Sequence, residues 1–518
     1  MSRKIIYILL SVVLLASGWL GLSGLTLLVA FVPLLLLSDS YSDSARDFWR
    51  MAGWAIFTFV LWNVATIWWV WIAAPIGPIA ATIFSTFWSV VPFMLYHYVS
   101  KRAPKALSYT LLIAAWVAAE KLYTDAEVLS FPWLTLGNGF SGDIWAVQWY
   151  EWTGVMGGSI WVLLCNILIF EALRNRSVRC AVGATVAVLL PLFVSLAMYA
   201  THEYSAESVK MAVVQPNVDC YAEKFADNDD WQMENIVELL HEIPRDVEVV
   251  ALPETALPEH LQDNAPENGW SVKILQDATD SLYNHAMIIA GASTVKYYAP
   301  QEPRTQTARI ARGGYYYDVY NSAVALNHTK GHNVHHKMRL VIGVETMPTF
   351  NILNGFIDLG GITGQLGRND KATVFDHKDV VVGPAICYEG LYGDSFARFV
   401  REGAEVMTVL SNDGWWGNTA GHKRLFDFCR LRAIECRRAI ARSANTGVSG
   451  FITSRGEVVE QLTWDERGVL VEDVECRNDK TIYVKYGDWV GRMAFLLTFL
   501  GVMYFTAYRV RRRNHLVD

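Results

Sequence analysis

Two blocks of almost unbroken apolar sequence, residues 4–200 and 489–508, bracket a segment of ordinary mixed composition at 209–485. A chain patterned this way must satisfy two solvents. Apolar stretches of about 20 residues match the roughly 30 Å of hydrocarbon in a bilayer, whereas the middle segment reads as a water-facing globular fold. The composition agrees, with 52% of the 518 residues hydrophobic and only 18% charged, too apolar for a soluble multidomain protein. A net charge of −7, with the basic residues in short clusters beside the apolar runs, argues against nucleic acid as a partner.

Eight runs are predicted as membrane spans, near 4–19, 22–38, 50–73, 77–99, 105–121, 155–173, 181–200 and 489–508. The first begins like a signal peptide, with Arg3 and Lys4, but a second apolar run follows closely and no small-residue cleavage site stands out, so it is read as a retained span. Lys and Arg in short loops stay cytoplasmic. Here Arg3 and Lys4, Arg46 and Arg50, the Lys101 to Lys105 cluster, Arg174 to Arg179 and Arg509 to Arg513 all fall on one side. The expected organisation is a helical bundle at 1–203, an extracytoplasmic catalytic domain at 204–486, and a final span with a basic cytoplasmic tail at 487–518. Trp68, Trp69 and Trp71 either sit at the outer interface or fill a bundle core. Asn63, Glu120 and Asn166 either mark a cavity or bond between helices.

From Val209 onward short β-branched strands alternate with helical stretches, the pattern of an α/β layered domain. Five of the seven cysteines, Cys220, Cys387, Cys429, Cys436 and Cys476, lie in this segment, an odd number that leaves one thiol unpaired. Cys429 and Cys436 share one helix face, as buried core residues do, and no CxxC or His/Cys ligand spacing occurs; no metal and no cofactor is expected.

Cys387 closes the apolar run Val380–Ile386, and a thiol at the carboxyl end of a buried strand is placed to face a cleft. Glu254 stands similarly after Val247–Leu252, and Lys337 lies in His335-His336-Lys337-Met338 with Glu345 eight residues on. Each alone suits a bland role: an inert core thiol, a solvated carboxylate, a charged surface loop. Their order, Glu then Lys then Cys in an α/β domain, resembles the nitrilase, or carbon-nitrogen hydrolase, superfamily. The attached spans narrow the resemblance to its membrane branch, the apolipoprotein N-acyltransferases. Further motifs similar to that branch are Phe131-Pro132-Trp133-Leu134, Val214-Gln215-Pro216-Asn217, Tyr320-Asn321-Ser322 at a central turn, Ile386-Cys387-Tyr388-Glu389, Ser411 to Gly417, Arg430 to Glu435 and Ala444 to Gly447. Two departures stand out: Leu340 to Glu345 shifts a Gly and lacks a Pro, and Lys224-Phe225-Ala226 has Phe where the family often has Trp.

The resemblance implies a nitrilase-like αββα sandwich and a catalytic Glu254, Lys337 and Cys387. It implies supporting or substrate-binding roles for Glu345, Tyr388, Glu389, Phe225, Trp415 and Trp416. It also implies acyl transfer from a phospholipid, through a thioester on Cys387, to the α-amino group of diacylglyceryl-cysteine on a lipoprotein. A monomer in the bacterial cytoplasmic membrane, with its catalytic domain on the periplasmic side, is the expected setting. The alternative is a membrane-anchored amidase of the nitrilase type, with water as acceptor; an anchor alone needs one span, which disfavours it.

Overall fold

The computed structural model describes residues 3–126, 129–224, 228–282, 285–327, 333–346 and 365–513. The chain divides into two compact units, Met1–Thr201 with Tyr486–Asp518, and His202–Lys485.

In the first unit five helices are long and apolar enough to cross a membrane: Ala45–Ile67, Gly77–Ser100, Val155–Asn175, Val178–Ala200 and Trp489–Arg512. The other three expected spans differ from that description. The first is a helix of 14 residues, Arg3–Ala16. The second breaks at Phe31 into Leu27–Ala30 and Val32–Asp39, and the fifth, Lys105–Asp125, carries Glu120 and Lys121 in its apolar stretch. Asn166 explains how the break survives in an apolar setting. Its side-chain oxygen accepts from the backbone N–H of Phe31 at 2.7 Å and of Val32 at 3.1 Å, and its amide donates to Leu27 O at 2.7 Å. Backbone groups freed by the break are thereby satisfied without water. Asn63 donates to Phe59 O within its own helix, and Glu120 accepts from Trp116 Nε1 and Leu136 N. Of the three, Asn166 bonds between helices, Asn63 bonds within its own, and Glu120 lines a small cavity with Trp88, Trp116 and Tyr123. The tryptophans divide between the two readings: Trp68 and Trp71 are exposed, whereas Trp69 is buried against Trp133.

The second unit has fourteen described strands: β1 (Ser208–Gln215), β2 (Val249–Ala251), β3 (His260–Gln262), β4 (Met287–Tyr297), β5 (Arg309–Ile310), β6 (Tyr316–Leu326), β7 (Val334–His336), β8 (Phe375–His377), β9 (Val380–Ile386), β10 (Val406–Ser411), β11 (Ile440–Ala444), β12 (Ser449–Ile452), β13 (Val458–Leu462) and β14 (Gly468–Glu475). They form two sheets. One runs β14-β1-β2-β4-β6-β5, with β3 on β4 and β7 on β6; the other runs β13-β12-β11-β10-β9-β8. The centre of each is parallel, β1 with β2 and β4 in the first, β9 with β10 and β11 in the second. Parallel strands buried on both faces need apolar residues at consecutive positions, which is how Met211 to Val214 and Val406 to Leu410 read.

Helices cover the outer faces. Ala212 and Val214 pack with Met233, Ile236 and Leu239 of the helix Asp229–Leu240 in one core, and Met407 and Val409 pack with Phe396, Phe399 and Cys429 in the other. The inner faces meet through β1 and β11, where Ser443 Oγ donates to Val214 O at 2.7 Å. The result is the expected αββα sandwich, a nitrilase-like fold. Cys429 and Cys436 belong to the second core, and all seven cysteines are free thiols.

Two local expectations are corrected. Tyr320-Asn321-Ser322 lies inside β6, as the β-branched run Val319–Leu326 suggests, and not at the turn that the resemblance implies, because β6 pairs with β4 on one side and β7 on the other across these residues. The stretch Ala372-Thr373-Val374-Phe375 also reads as a strand, but the strand starts only at Phe375. Pro384 interrupts the apolar run before Cys387 without breaking β9. It lacks a backbone donor, and β8 pairs only with Val380 to Val382, so on that side among the described strands none is left without its bond.

Candidate active site

Glu254 follows β2, Lys337 follows β7 and Cys387 follows β9, so strand ends from both sheets converge on one buried site. Glu254 sits in a turn against β4. Leu252 N donates to Ile289 O and Gly291 N to Pro253 O, and a Cβ on Gly291 would stand 2.5 Å from both Glu254 Cα and Pro253 O. Only glycine permits that approach. Cys387 has φ 46°, the left-handed region that costs a non-glycine residue of order 1–2 kcal/mol. The sharp bend that ends β9 turns the thiol into the site.

Lys337 Nζ donates to Glu254 Oε1 at 2.8 Å and to Glu345 Oε1 at 3.0 Å. Asn321 Nδ2 spans the same two oxygens, at 2.7 Å and 2.6 Å. The second oxygen of Glu254 accepts from Asn412 N at 3.1 Å, and that of Glu345 from Val341 N at 2.7 Å. Lys337 is only 1% exposed, Glu254 6%, Cys387 6% and Glu345 8%. Burial works against the charge on Lys337, but Glu254, Glu345 and Cys387 outweigh it and hold the ammonium above its ordinary range. Burial first, then the Glu254 charge, pushes the Cys387 thiol well above its usual value; Lys337 and a bond from Ser411 pull the other way.

Glu389 plays a different part from the one its closeness to Cys387 suggests. It is fully buried, and its two oxygens accept from Met338 N and Ile386 N, each at 2.7 Å, with His335 Nε2 at 3.5 Å from the second. It therefore staples the residue after Lys337 to the residue before Cys387. Tyr388 is buried edge-on against Tyr392, with ring centroids 5.3 Å apart. Trp415 and Trp416 are half-buried in the turn Asp413–Trp416, where Trp415 O accepts from Tyr221 Oη at 2.8 Å. Phe225 lies outside the described residues.

Four further residues take part whose roles the sequence does not signal. Asn321, inside β6, bridges the two carboxylates with its amide. Asp413 and Arg442 form a bidentate pair at 2.9 Å, neither exposed, whose charges also act on Cys387. Lys224, only 7% exposed, reaches Glu254 O at 3.4 Å.

Residues 210–478, just over half of the chain, match the carbon-nitrogen hydrolase family. The chain belongs to that family. Residues 11–168 match the apolipoprotein N-acyltransferase N-terminal domain. Curated relatives include the apolipoprotein N-acyltransferase of Chlorobaculum tepidum, 29% identical over 508 residues and covering 94% of this chain and 92% of that protein. The enzyme of the same name from Thermotoga maritima is 23% identical over 503 residues, with 93% and 89% covered. Among solved structures, an amidase from Nesterenkonia aligns over 55% of this chain and 95% of its own at 12% identity, with a TM-score of 0.35. A carbon-nitrogen hydrolase domain joined to an N-terminal unit of this kind is the arrangement of the membrane branch to which the sequence motifs pointed.

Proposed function

We propose that the protein is an apolipoprotein N-acyltransferase that works through a thioester on Cys387. The observation that carries the reading is a buried ammonium held between two carboxylates, 2.8 Å and 3.0 Å away, beside a buried thiol. The N-terminal match distinguishes acyl transfer between membrane substrates from soluble amide hydrolysis.

Cys387 gives its proton to Glu254 as the sulfur attacks the ester carbonyl of a phospholipid. Lys337 remains protonated throughout and offsets the charge, first on sulfur and then on the tetrahedral oxygen. When the C–O bond breaks, Glu254 returns the proton to the glycerol oxygen and a lysophospholipid leaves. The α-amino group of diacylglyceryl-cysteine then attacks the thioester. Glu254 accepts the amine's proton, the new amide forms, and the thiolate is expelled and reprotonated.

Asn321 and Asn412 hold Glu254 in the orientation this shuttle needs, Glu345 shares the lysine, and Trp415 and Trp416 line the lipid entrance. Both substrates carry acyl chains whose burial is worth about 0.8 kcal/mol per CH₂, so the enzyme has to meet them at the membrane. The alternating basic clusters support a topology of eight spans, with the domain between the seventh and eighth on the periplasmic side of the cytoplasmic membrane. In it the short first helix, the broken second one and the helix Lys105–Asp125 complete the crossings that the five long helices begin.

The test is to give the purified full chain a phospholipid labelled in its acyl chain, with no acceptor. Label should accumulate on Cys387 and be released by neutral hydroxylamine, and Cys387→Ala should remain unlabelled. Equal labelling of that variant, or release of free fatty acid with no transfer when a diacylated lipopeptide is added, would overturn the reading.

A further inference from the structure

Among the described residues Lys224 makes no ion pair, and its one side-chain bond is the 3.4 Å contact with Glu254 O. That is an unusual position for a lysine only 7% exposed. An ammonium has three N–H groups to place, and a buried one without an anion is costly to keep. Burial pushes Lys224 down to about 8, against the opposing pull of Cys220 and Glu254, so it still enters neutral solution largely as a cation.

The surroundings indicate where an anion belongs. The turn that carries Lys224 is closed by bonds from Glu223 N and Lys224 N to Asp219 O. It buries the lysine while presenting Tyr221, which is 63% exposed and packs edge-on against Trp415 with ring centroids 5.3 Å apart. Cys220 in the same turn donates to Asn412 Oδ1 at 2.9 Å, and Asn412 N holds Glu254 Oε2. One short segment therefore offers aromatic surface outward and, inward, a cation with no ion pair among the described residues, and it is tied directly to the carboxylate of the reacting site. A glycerophospholipid has the matching sequence of chemistry, an acyl chain, an ester, and a phosphate a few bonds beyond the ester.

We infer that Lys224 receives the phosphate of the acyl donor, fixing the ester over Cys387; this rests on the acyl-transfer reading above and names the donor feature that the site selects. Lys337 cannot serve this purpose, because its two carboxylate bonds and its charge are already committed.

The experiment compares two donors of the same fatty acid on the full chain in mixed micelles: labelled phosphatidylglycerol, and the phosphate-free p-nitrophenyl ester. Acylation of Cys387 is measured at varied donor concentration. Lys224→Met should lower the phospholipid rate at limiting donor by about 10–100-fold, the range for losing a charged hydrogen bond, chiefly through KM. The nitrophenyl ester rate should fall far less than the phospholipid rate, and Lys224→Arg should recover most of the phospholipid rate. Equal slowing with both donors would make Lys224 a structural support only, and an unchanged phospholipid rate would remove it from the site. If the unsubstituted protein takes label from neither donor, the acyl-transfer reading itself fails.

Discussion

Asp413 and Arg442 face each other through two 2.9 Å bonds with neither side chain exposed, one charge against one charge. Glu254, Lys337 and Glu345 set two carboxylates against one ammonium and retain slight exposure. Both groups bear on Cys387 from the same buried interior, so their difference is one of balance. The first is closed: Arg442 also reaches Val448 O, and Ser411 Oγ donates to Asp413 Oδ1, leaving the carboxylate held on both oxygens. The second sets two carboxylates on one ammonium, which keeps Lys337 protonated. Stability is served by a neutral pair, and proton transfer by an unbalanced one.

Removing the base should separate the two most sharply. Glu254→Gln keeps the shape of the cluster but cannot accept a proton, and should slow acylation of Cys387 by up to about 10⁴-fold with little change in melting temperature. The reverse pattern is expected of Arg442→Met, which strands Asp413 as a buried unpaired charge. It should cost about 3–5 kcal/mol in unfolding free energy, measured by denaturant titration. If Arg442→Met melts normally but loses activity, the division of labour drawn here is wrong. Asn321→Ala removes a donor shared by Glu254 and Glu345 and should cost roughly 1–3 kcal/mol, read as a fall of about 5–150-fold in acylation rate. The pH profile gives the smallest effect. Burial raises the Cys387 thiol, so thiolate is scarce at neutral pH and alkylation by iodoacetamide should climb about tenfold per pH unit. The climb should continue beyond the point, near pH 8.5, where a free cysteine levels off. In Lys337→Met it should shift further to the alkaline side, and a plateau below pH 8 would contradict the assignment of burial as the dominant influence.

Glu254 and Cys387 were readable along the chain because each follows an apolar strand, and strand ends are where clefts form; Lys337 was readable only by its place between them in the Glu, Lys, Cys order. Their partners were less so. Asn321 sits between residues that alternate across β6, and nothing local tells which side faces Glu254; that depends on the pairing of β6 with β4 and β7. Asp413 and Arg442 are 29 residues apart, and each alone looks like an ordinary surface charge. The burial of Lys337 was equally hidden, since His335, His336 and Arg339 around it read as a polar loop until Glu389 is seen pinning Met338 inside. In the helical unit, hydropathy located the long helices but not the break inside the second apolar run. The break at Phe31 is stabilised by Asn166, 135 residues away.

The left-handed backbone at Cys387, φ 46°, has a practical consequence. Any side chain placed there inherits the bend that the thiol endures, and glycine alone is released from it. Cys387→Gly should therefore be sturdier than Cys387→Ala by about 1 kcal/mol, although both are inert. That would make the glycine form the better vehicle for capturing the enzyme with an intact donor and acceptor bound together.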